Sequence, residues 1–549
     1  MERVSARHEG DRVPKRDYPA HVTDLTPAET APPEPSSIDV SPPTDLAAVG
    51  DAEAPERVAN APVRLPVAWL PVGSAIVVTA AILAATAARY GYNRDELYFL
   101  MLKPAWGYVD QPPLTPLLAR AASGVFGDSP AGMRVPAILC VAVAILLSAL
   151  TARELGGGRL AQAWAAWGFG LAGLTLISGH LMNTGTVDFA LWAAVLLCVT
   201  RALLHGNPRW WLAAGALVGL SFYNKLLITM LLISLAAALL LVGPRRVLRS
   251  GWLWGGIVLA AVIGSPNLIY QATHDFPQLS MAQALSNNNA GDVRIELLPF
   301  QILLIGVPLF WVCVVGFVAL WRRPEWRPIR ALAVAYLVTL VLALIGGGQI
   351  YYPYGLLAFL LAAGSVVVAQ RWPGRSGWWR VAPVAAVNGI TSVLIALPLL
   401  PPTTLGKTFI GDVNETLPDQ IGWPVYVRTV ANVYRGLPAA DKAKAILFTS
   451  NYGEAGALHH YSPQYGLPAV YSGHNELWFH GAPPDTATVV VAWTEDPDGL
   501  STLFRSCQDQ ATMDNGVGVN NEEQGSAVLV CRDPIGGWAT IWPKTQHYD

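Results

Sequence analysis

The chain has 549 residues, of which 53% are hydrophobic and only 13% are charged, a composition that excludes an ordinary soluble protein. Apolar runs of about 20 residues recur along it, the length needed to cross about 30 Å of hydrocarbon, so we expect a polytopic protein surrounded by membrane lipids. The net charge of -2 and the lack of a basic stripe argue against nucleic acid as a partner.

The first 64 residues are rich in Pro, Ala, Asp, Glu and Arg and contain almost no aromatic side chains. Such a segment cannot bury enough apolar surface to offset the entropy lost on ordering it. The first apolar run begins near Pro66, after a long charged region that is unlike a signal peptide. We therefore predict that residues 1–64 are a disordered cytoplasmic tail.

Residues 65–400 contain the apolar runs, and we predict a membrane helical bundle of about eleven transmembrane helices. With the N-terminus in the cytoplasm, the arginine-rich loops between these runs are cytoplasmic, as the positive-inside rule requires. We expect a multi-pass protein of the cell (plasma) membrane. The predicted spans cover residues 67–89, 133–152, 160–178, 186–204, 209–222, 224–242, 252–270, 299–320, 331–346, 350–370 and 379–400.

The loop after the first span departs from the positive-inside rule, because it places basic side chains on the outer side. Anionic ligands at the outer face are one reason for such an arrangement. The basic residues are Arg94, Lys103, Arg120 and Arg134.

An odd number of spans places residues 401–549 outside the cell, and their composition is no longer that of a membrane segment. Cys507 and Cys531 both lie there and are expected to form a disulfide in an oxidising compartment. Apolar runs bounded by turn residues predict a small extracytoplasmic α/β domain. Its predicted strands are 445–450, 469–471, 488–493 and 527–530, and its predicted helices lie near 424–435, 452–460 and 499–507.

Acidic side chains stand where membrane helices begin or end on the outer side. Asp95 and Glu96 follow the first span, and Asp188 begins a later span at its outer end. A carboxylate at the membrane costs free energy, so its presence indicates a functional role. The plain alternative is that the partial positive charge of a helix N-terminus stabilises a carboxylate there.

Two further residues allow a functional and a plain interpretation. Lys225 lies between two apolar runs, where it either extends to the lipid headgroups or holds a phosphate as a compact cation. His274 is either a surface-loop histidine or, together with Asp110, part of a divalent metal site with nitrogen and oxygen ligands. The spacing of these residues does not decide between the alternatives.

Five segments of the chain form a familiar combination. They are Arg94-Asp95-Glu96 after the first span, Gly107–Leu114, Asp188, Lys225 and Gln349-Ile350-Tyr351-Tyr352. Together they resemble the C-type (GT-C) glycosyltransferases, in the branch of the protein O-mannosyltransferases (PMT family) and aminoarabinose transferases. The resemblance covers residues 66–400, and the combination of segments is far more specific than any single one.

The resemblance implies a GT-C fold and a sugar donor linked to polyprenyl phosphate. It implies that Asp95 is the catalytic base, that Asp188 assists, and that Glu96 is the neighbouring acidic candidate. For the donor, the substrate-binding candidates are Lys225, Tyr351, Tyr352 and Arg94.

The aminoarabinose branch associates a metal with an acidic residue before a Pro-Pro pair and with an outer-loop histidine. These residues match Asp110 and His274 here, so a divalent metal ion is a candidate cofactor. Gln111 and Gln349 stand where relatives often carry Lys.

We expect a mannosyltransferase-like enzyme of the cell envelope that transfers a sugar from the donor to a hydroxyl of a lipid, glycan or protein acceptor, with inversion. The alternative is a polytopic transporter or flippase of lipid-linked sugars, because intramembrane charges also mark transport paths. Against it, the polar groups cluster at one face, and the two halves of the chain lack paired interrupted helices. A binding module anchored in the membrane does not explain so many spans.

Overall fold

Helices make up most of residues 61–548, the part of the chain that this computed structural model describes, leaving aside the side chains of Asn289 and Asp292. The predicted tail at residues 1–64 lies almost wholly outside the described residues. The helices of the membrane part are α1 Trp69–Thr86, α2 Arg94–Met101, α3 Leu114–Phe126, α4 Pro130–Met133, α5 Val135–Glu154, α6 Arg159–Gly170, α7 Gly173–His180, α8 Thr184–Leu204, α9 Trp210–Ser221, α10 Ile228–Leu241, α11 Gly251–Thr273, α12 Pro277–Ile305, α13 Val307–Arg322, α14 Ala331–Gly346, α15 Tyr354–Arg371 and α16 Gly374–Ala396.

Within the described residues, six helices are long and apolar enough to cross a membrane, and the number is eight if each of two bent pairs is one span. The pairs are α6 with α7, bent by 56°, and the end of α12 with α13, bent by 100°. The other three predicted spans correspond to α9, α10 and α14, of 12, 14 and 16 residues. The mainly helical, multi-pass class is confirmed, but the count of eleven requires helices shorter than the about 20 residues of a straight span.

Helix α5 has a buried ionic group at each end. Arg134, just before its first residue, pairs with Glu96, and both side chains are fully buried. Its last residue, Glu154, is buried and accepts a hydrogen bond of 2.9 Å from Arg201 of α8. Because a buried charge is stable only when it is paired, the two pairs fix both ends of α5 against its neighbours.

The C-terminal part combines short helices with one mixed sheet of five strands in the order β2-β1-β3-β5-β4. β1 pairs in parallel with β2 and β3, whereas β5 pairs antiparallel with β3 and β4. The strands are β1 Ala445–Thr449, β2 Val470–Ser472, β3 Val489–Thr494, β4 Phe504–Thr512 and β5 Ala527–Pro534. The helices are α17 Pro402–Leu405, α18 Ile410–Val413, α19 Trp423–Gly436, α20 Ala439–Lys442, α21 Tyr452–Tyr461, α22 Pro497–Ser501 and α23 Trp538–Ile541.

The four predicted strands are confirmed as β1, β2, β3 and β5, and the predicted helices near 424–435 and 452–460 as α19 and α21. The predicted helix at 499–507 is wrong, because the chain there leaves the short α22 and enters β4. β4 is an edge strand with mostly exposed or half-buried side chains, so it lacks the apolar alternation that marks a buried strand.

The disulfide predicted between Cys507 and Cys531 is present, joining residues that lie opposite each other on β4 and β5. If this part is exported, a membrane-impermeant thiol reagent added to intact cells should label the protein only after reduction. A variant with Ser at both positions is the control and should gain no label on reduction. Equal labelling with and without reductant would contradict the bond, and labelling only after lysis would contradict the orientation.

The C-terminal part packs directly on α2. A single buried apolar cluster contains Leu97 and Tyr98 of α2 together with Val427 of α19 and Leu458 of α21. Gly456 of α21 lies so close to α2 that a Cβ atom there would stand 2.7 Å from the carbonyl carbon of Leu97. Helix α2 is therefore held between the membrane bundle and the C-terminal part.

Candidate active site

A polar cavity of about 640 Å³ lies where α2, the loop after α14 and α21 meet. Six of the nine site residues predicted from the sequence line it. The three that do not line it are Glu96, Asp188 and His274. The six that do are Arg94, Asp95, Asp110, Lys225, Tyr351 and Tyr352.

Asp95 is the second residue of α2, and the start of that helix determines its direction. The Asn93 side chain accepts from the backbone N–H of Asp95 at 3.1 Å, and the Glu96 carboxylate accepts from the N–H of Asn93 at 2.9 Å, which forms a capping box. Asp95 accepts a hydrogen bond from the Tyr452 hydroxyl at 3.0 Å. Burial raises the pKa of Asp95, and the bond from Tyr452 opposes this effect.

Glu96 points away from the cavity, into the protein. Its two carboxylate oxygens each accept a hydrogen bond of 2.8 Å from Arg134, and one also accepts from the backbone N–H of Met182 at 3.0 Å. The side chains of Glu96 and Arg134 are both completely buried. These contacts indicate a structural role for Glu96, whereas the sequence made it a catalytic candidate.

Arg94, named as a substrate-binding candidate, lines the cavity but is engaged by the C-terminal part. It forms ion pairs with Glu522 and, at 3.7 Å, with Glu523. Its guanidinium also lies over the ring of Tyr452, 5.2 Å from the centroid. Much of its charge is therefore already balanced by the loop between β4 and β5.

Lys225 lies between α9 and α10, and its ammonium contacts two tyrosines. Its Nζ donates to the Tyr351 hydroxyl at 3.1 Å and lies 5.1 and 5.2 Å from the ring centroids of Tyr351 and Tyr352. All three residues line the cavity. Cation–π contacts hold the ammonium without neutralising it, so it remains able to attract an anion.

Asp188 is buried in the second turn of α8 and lies behind the cavity wall. One of its oxygens, Oδ1, has no hydrogen-bond partner among the residues that the structure describes. The positive charge of Lys225 attracts the Asp188 carboxylate. Asp188 is therefore placed to influence the lysine rather than to contact a molecule in the cavity.

The metal site predicted at Asp110 and His274 is not supported. Asp110 lines the cavity and accepts hydrogen bonds from Tyr98 at 3.3 Å and Gln111 at 3.2 Å, and burial raises its pKa to about 7. His274 is exposed at the end of α11, and its ring stacks on Tyr270 of the same helix at 4.1 Å. In residues 61–548, no three His, Cys, Asp or Glu side chains gather as metal ligands do.

Several cavity residues were missed by the sequence reasoning because they come from the C-terminal part. They are Tyr452, His474 and Glu415. Tyr452 is 357 residues from Asp95 along the chain, so no local pattern links them. The Asn451-x-x-Glu454 capping pattern predicts where α21 begins. It does not predict which residues of other segments α21 contacts.

The cavity combines a carboxylate with a raised pKa and an ammonium that is bound to a phenol rather than to a carboxylate. The first can accept a proton from a hydroxyl. The second can stabilise negative charge on a bound anion or a departing group. This set fits a transfer reaction in which a hydroxyl is activated and an anion leaves.

Part of the chain matches a known family. Residues 110–270 match the family described as dolichyl-phosphate-mannose-protein mannosyltransferase. The match includes Asp110, Asp188 and Lys225, whereas Asp95 precedes it. No curated protein sequence matches the chain.

Solved structures match most of the chain in fold. ArnT from Cupriavidus metallidurans bound to undecaprenyl phosphate matches with a TM-score of 0.56 and 15% identity, over 84% of this chain and 97% of that chain. The apo form of the same protein gives a TM-score of 0.52 at 14% identity, with the same coverage. The arabinofuranosyltransferase AftD from Mycobacteria gives 0.50 at 13% identity, over 86% of this chain and 40% of that chain. The resemblance stated from the sequence is thus confirmed.

Proposed function

We propose that this chain, a glycosyltransferase of the GT-C type by its family match and its fold, transfers a sugar from a polyprenyl-phosphate donor to an acceptor hydroxyl. The observation that carries the proposal is that Asp95 and Lys225 line the same cavity. The donor class is supported by the relatives, because the similar ArnT was solved with undecaprenyl phosphate and the matching family uses dolichyl-phosphate-mannose. The acceptor is a lipid, a glycan or a protein.

In the proposed reaction, Asp95 takes the proton of the acceptor hydroxyl as its oxygen attacks the anomeric carbon of the sugar. The bond between that carbon and the phosphate oxygen breaks, and polyprenyl phosphate leaves with the electron pair. Because a phosphate is a good leaving group, the step needs a base and a cation rather than a strong acid, and a single displacement inverts the anomeric centre. Lys225, with Tyr351 and Tyr352 around it, stabilises the phosphate.

We place this reaction at the outer face of the membrane. The N-terminal tail is then cytoplasmic, residues 65–400 form the transferase bundle, and residues 401–549 form an extracytoplasmic domain. The support is the distribution of arginine among the loops. The disulfide between Cys507 and Cys531 is also typical of an exported domain.

Loss of label from the lipid tests the proposal. Purified protein is incubated with radiolabelled undecaprenyl-phosphate mannose, and with other undecaprenyl-phosphate sugars, in the presence of an envelope extract of the source cells. A transferase moves the label into the extract and leaves undecaprenyl phosphate. In proteoliposomes, a flippase would move the labelled lipid across the bilayer and leave it intact, and that outcome would overturn the proposal.

Replacing Lys225 with Met is expected to weaken binding of undecaprenyl phosphate by about 1.5–3 kcal/mol, the worth of a hydrogen bond to a charged group. Methionine keeps most of the length of the side chain and removes only the charge and its donors. The measurement is titration of the purified variant with undecaprenyl phosphate.

The matched control for this lysine is Lys103→Met, which removes a lysine that is exposed and does not line the cavity. Its affinity for undecaprenyl phosphate should equal that of the unaltered protein. If Lys225→Met also keeps that affinity, Lys225 does not bind the donor phosphate and instead contacts the lipid headgroups.

A further inference from the structure

The Tyr452 side chain reaches from the C-terminal part into the cavity, where its hydroxyl donates to Oδ1 of Asp95 at 3.0 Å. Its ring centroid lies 4.9 Å from that of Tyr98 and 5.0 Å from that of His474. The Arg94 guanidinium covers the ring at 5.2 Å. The Tyr452 ring is therefore packed on several sides, and this packing fixes the position of its hydroxyl.

The two helices that carry this tyrosine and the base are in backbone contact at the same place. A Cβ atom on Gly453 of α21 would stand 2.9 Å from Cβ of Arg94, and one on Gly456 would stand 2.8 Å from the carbonyl oxygen of Leu97. Glycine at both positions permits this approach. The distance between the hydroxyl and the carboxylate is thus set by two packed helices.

We propose that Tyr452 is a positioning residue for Asp95, so that the C-terminal part completes the active site. This inference rests on the proposed function, in which Asp95 takes the acceptor proton. A hydroxyl that donates to one carboxylate oxygen stabilises the ionised form and leaves the other oxygen to face the acceptor. The proton itself still goes to Asp95, and Tyr452 keeps its own.

The hydrogen bond also has a pH signature. Burial raises the pKa of Asp95, and the bond from Tyr452 lowers it, so the pKa rises further when the hydroxyl is removed. A base with a higher pKa is protonated, and therefore inactive, at a higher pH. The charged and titratable groups that interact with Asp95 are Arg94 and Glu96 of its own helix, and Asp110, Lys225, Asp419 and Tyr452 of other segments.

The test is Tyr452→Phe in the full-length protein, assayed with the labelled undecaprenyl-phosphate sugar that the unaltered protein uses. We expect kcat to fall by about 10- to 100-fold, the worth of a hydrogen bond to a charged group. We also expect the acid limb of the kcat/KM profile to move to higher pH, with affinity for undecaprenyl phosphate unchanged. Unchanged kcat, or a fall that is equal at every pH, would overturn the inference.

A second variant carries 3,5-difluorotyrosine at position 452, which keeps the ring and makes the hydroxyl a stronger donor. It should move the acid limb in the opposite direction, to lower pH, and a shift to higher pH would contradict the proposal. Tyr461→Phe is the matched control, because Tyr461 ends the same helix and does not line the cavity. It should keep both kcat and the pH profile.

The Asp95→Asn variant separates this inference from the proposed function. If Asp95→Asn is inactive while Tyr452→Phe keeps full activity and its pH profile, the positioning role is wrong and the function stands. If Asp95→Asn turns over normally, the proposed function itself is wrong, and the role of Tyr452 falls with it.

Discussion

Asp95→Asn is expected to lower kcat by about 10²–10⁴ while donor binding remains nearly intact. The amide has the shape of the carboxylate but cannot accept the acceptor proton. The α2 cap should survive, because it uses the backbone N–H of residue 95 and the side chains of Asn93 and Glu96. The measurement is single-turnover transfer from the labelled undecaprenyl-phosphate sugar, together with titration of undecaprenyl phosphate.

Asp188→Asn is the comparison for that variant. It removes a carboxylate of the same type that does not line the cavity and that acts on Lys225. Its effect should therefore be smaller in kcat and should include weaker donor binding. Near-normal turnover of Asp95→Asn would show that this carboxylate is not the base.

The second large effect concerns stability. Glu96→Gln should lower the free energy of unfolding by about 3–5 kcal/mol, because it leaves the Arg134 guanidinium fully buried without its carboxylate. The loss should appear as a lower midpoint of thermal unfolding in detergent. Inactivity of this variant would then reflect loss of the fold and would not identify Glu96 as the base.

Glu522→Gln is the matched control for this ion pair. Glu522 pairs with Arg94 at a partly exposed position, where an ion pair contributes about 0–1 kcal/mol. Its unfolding midpoint should stay close to that of the unaltered protein. If Glu96→Gln shifts the midpoint no more than Glu522→Gln does, the buried pair does not stabilise the fold as described.

The sequence predicted the membrane bundle well because apolar length is a local property. Each predicted span coincides with one helix or with one bent pair of helices. Local hydropathy cannot show where such a pair bends, as between Ile305 and Val307, or that α9 has only 12 residues. The edge strand β4 was missed for a related reason: its exposed polar side chains show no periodicity, and its strand state comes from pairing with β5.

The candidate site was only partly predictable. Asp95 and Lys225 were found because charge at a membrane is costly and therefore conspicuous in sequence. The choice between Asp95 and Glu96 required the helix start, since adjacent residues on a helix point in different directions. The metal role predicted for His274 has no support, and the sequence does not show that its ring stacks on Tyr270. Tyr452 could not be found, because its contact with Asp95 spans 357 residues.

The same separation has a consequence for biosynthesis. A ribosome adds about 5–20 residues each second, so roughly 20 to 70 seconds pass between synthesis of Asp95 and that of its tyrosine partner. During that interval the first turn of α2 lacks Tyr452, Glu522 and Glu523, the neighbours that hold its charged side chains. A chain terminated before α21 therefore contains Asp95, the proposed base, without the side chains that surround it in the folded protein. If Asp95 is the base, we expect activity to appear only when synthesis of the chain is almost complete, so that truncated products would not consume the proposed donor.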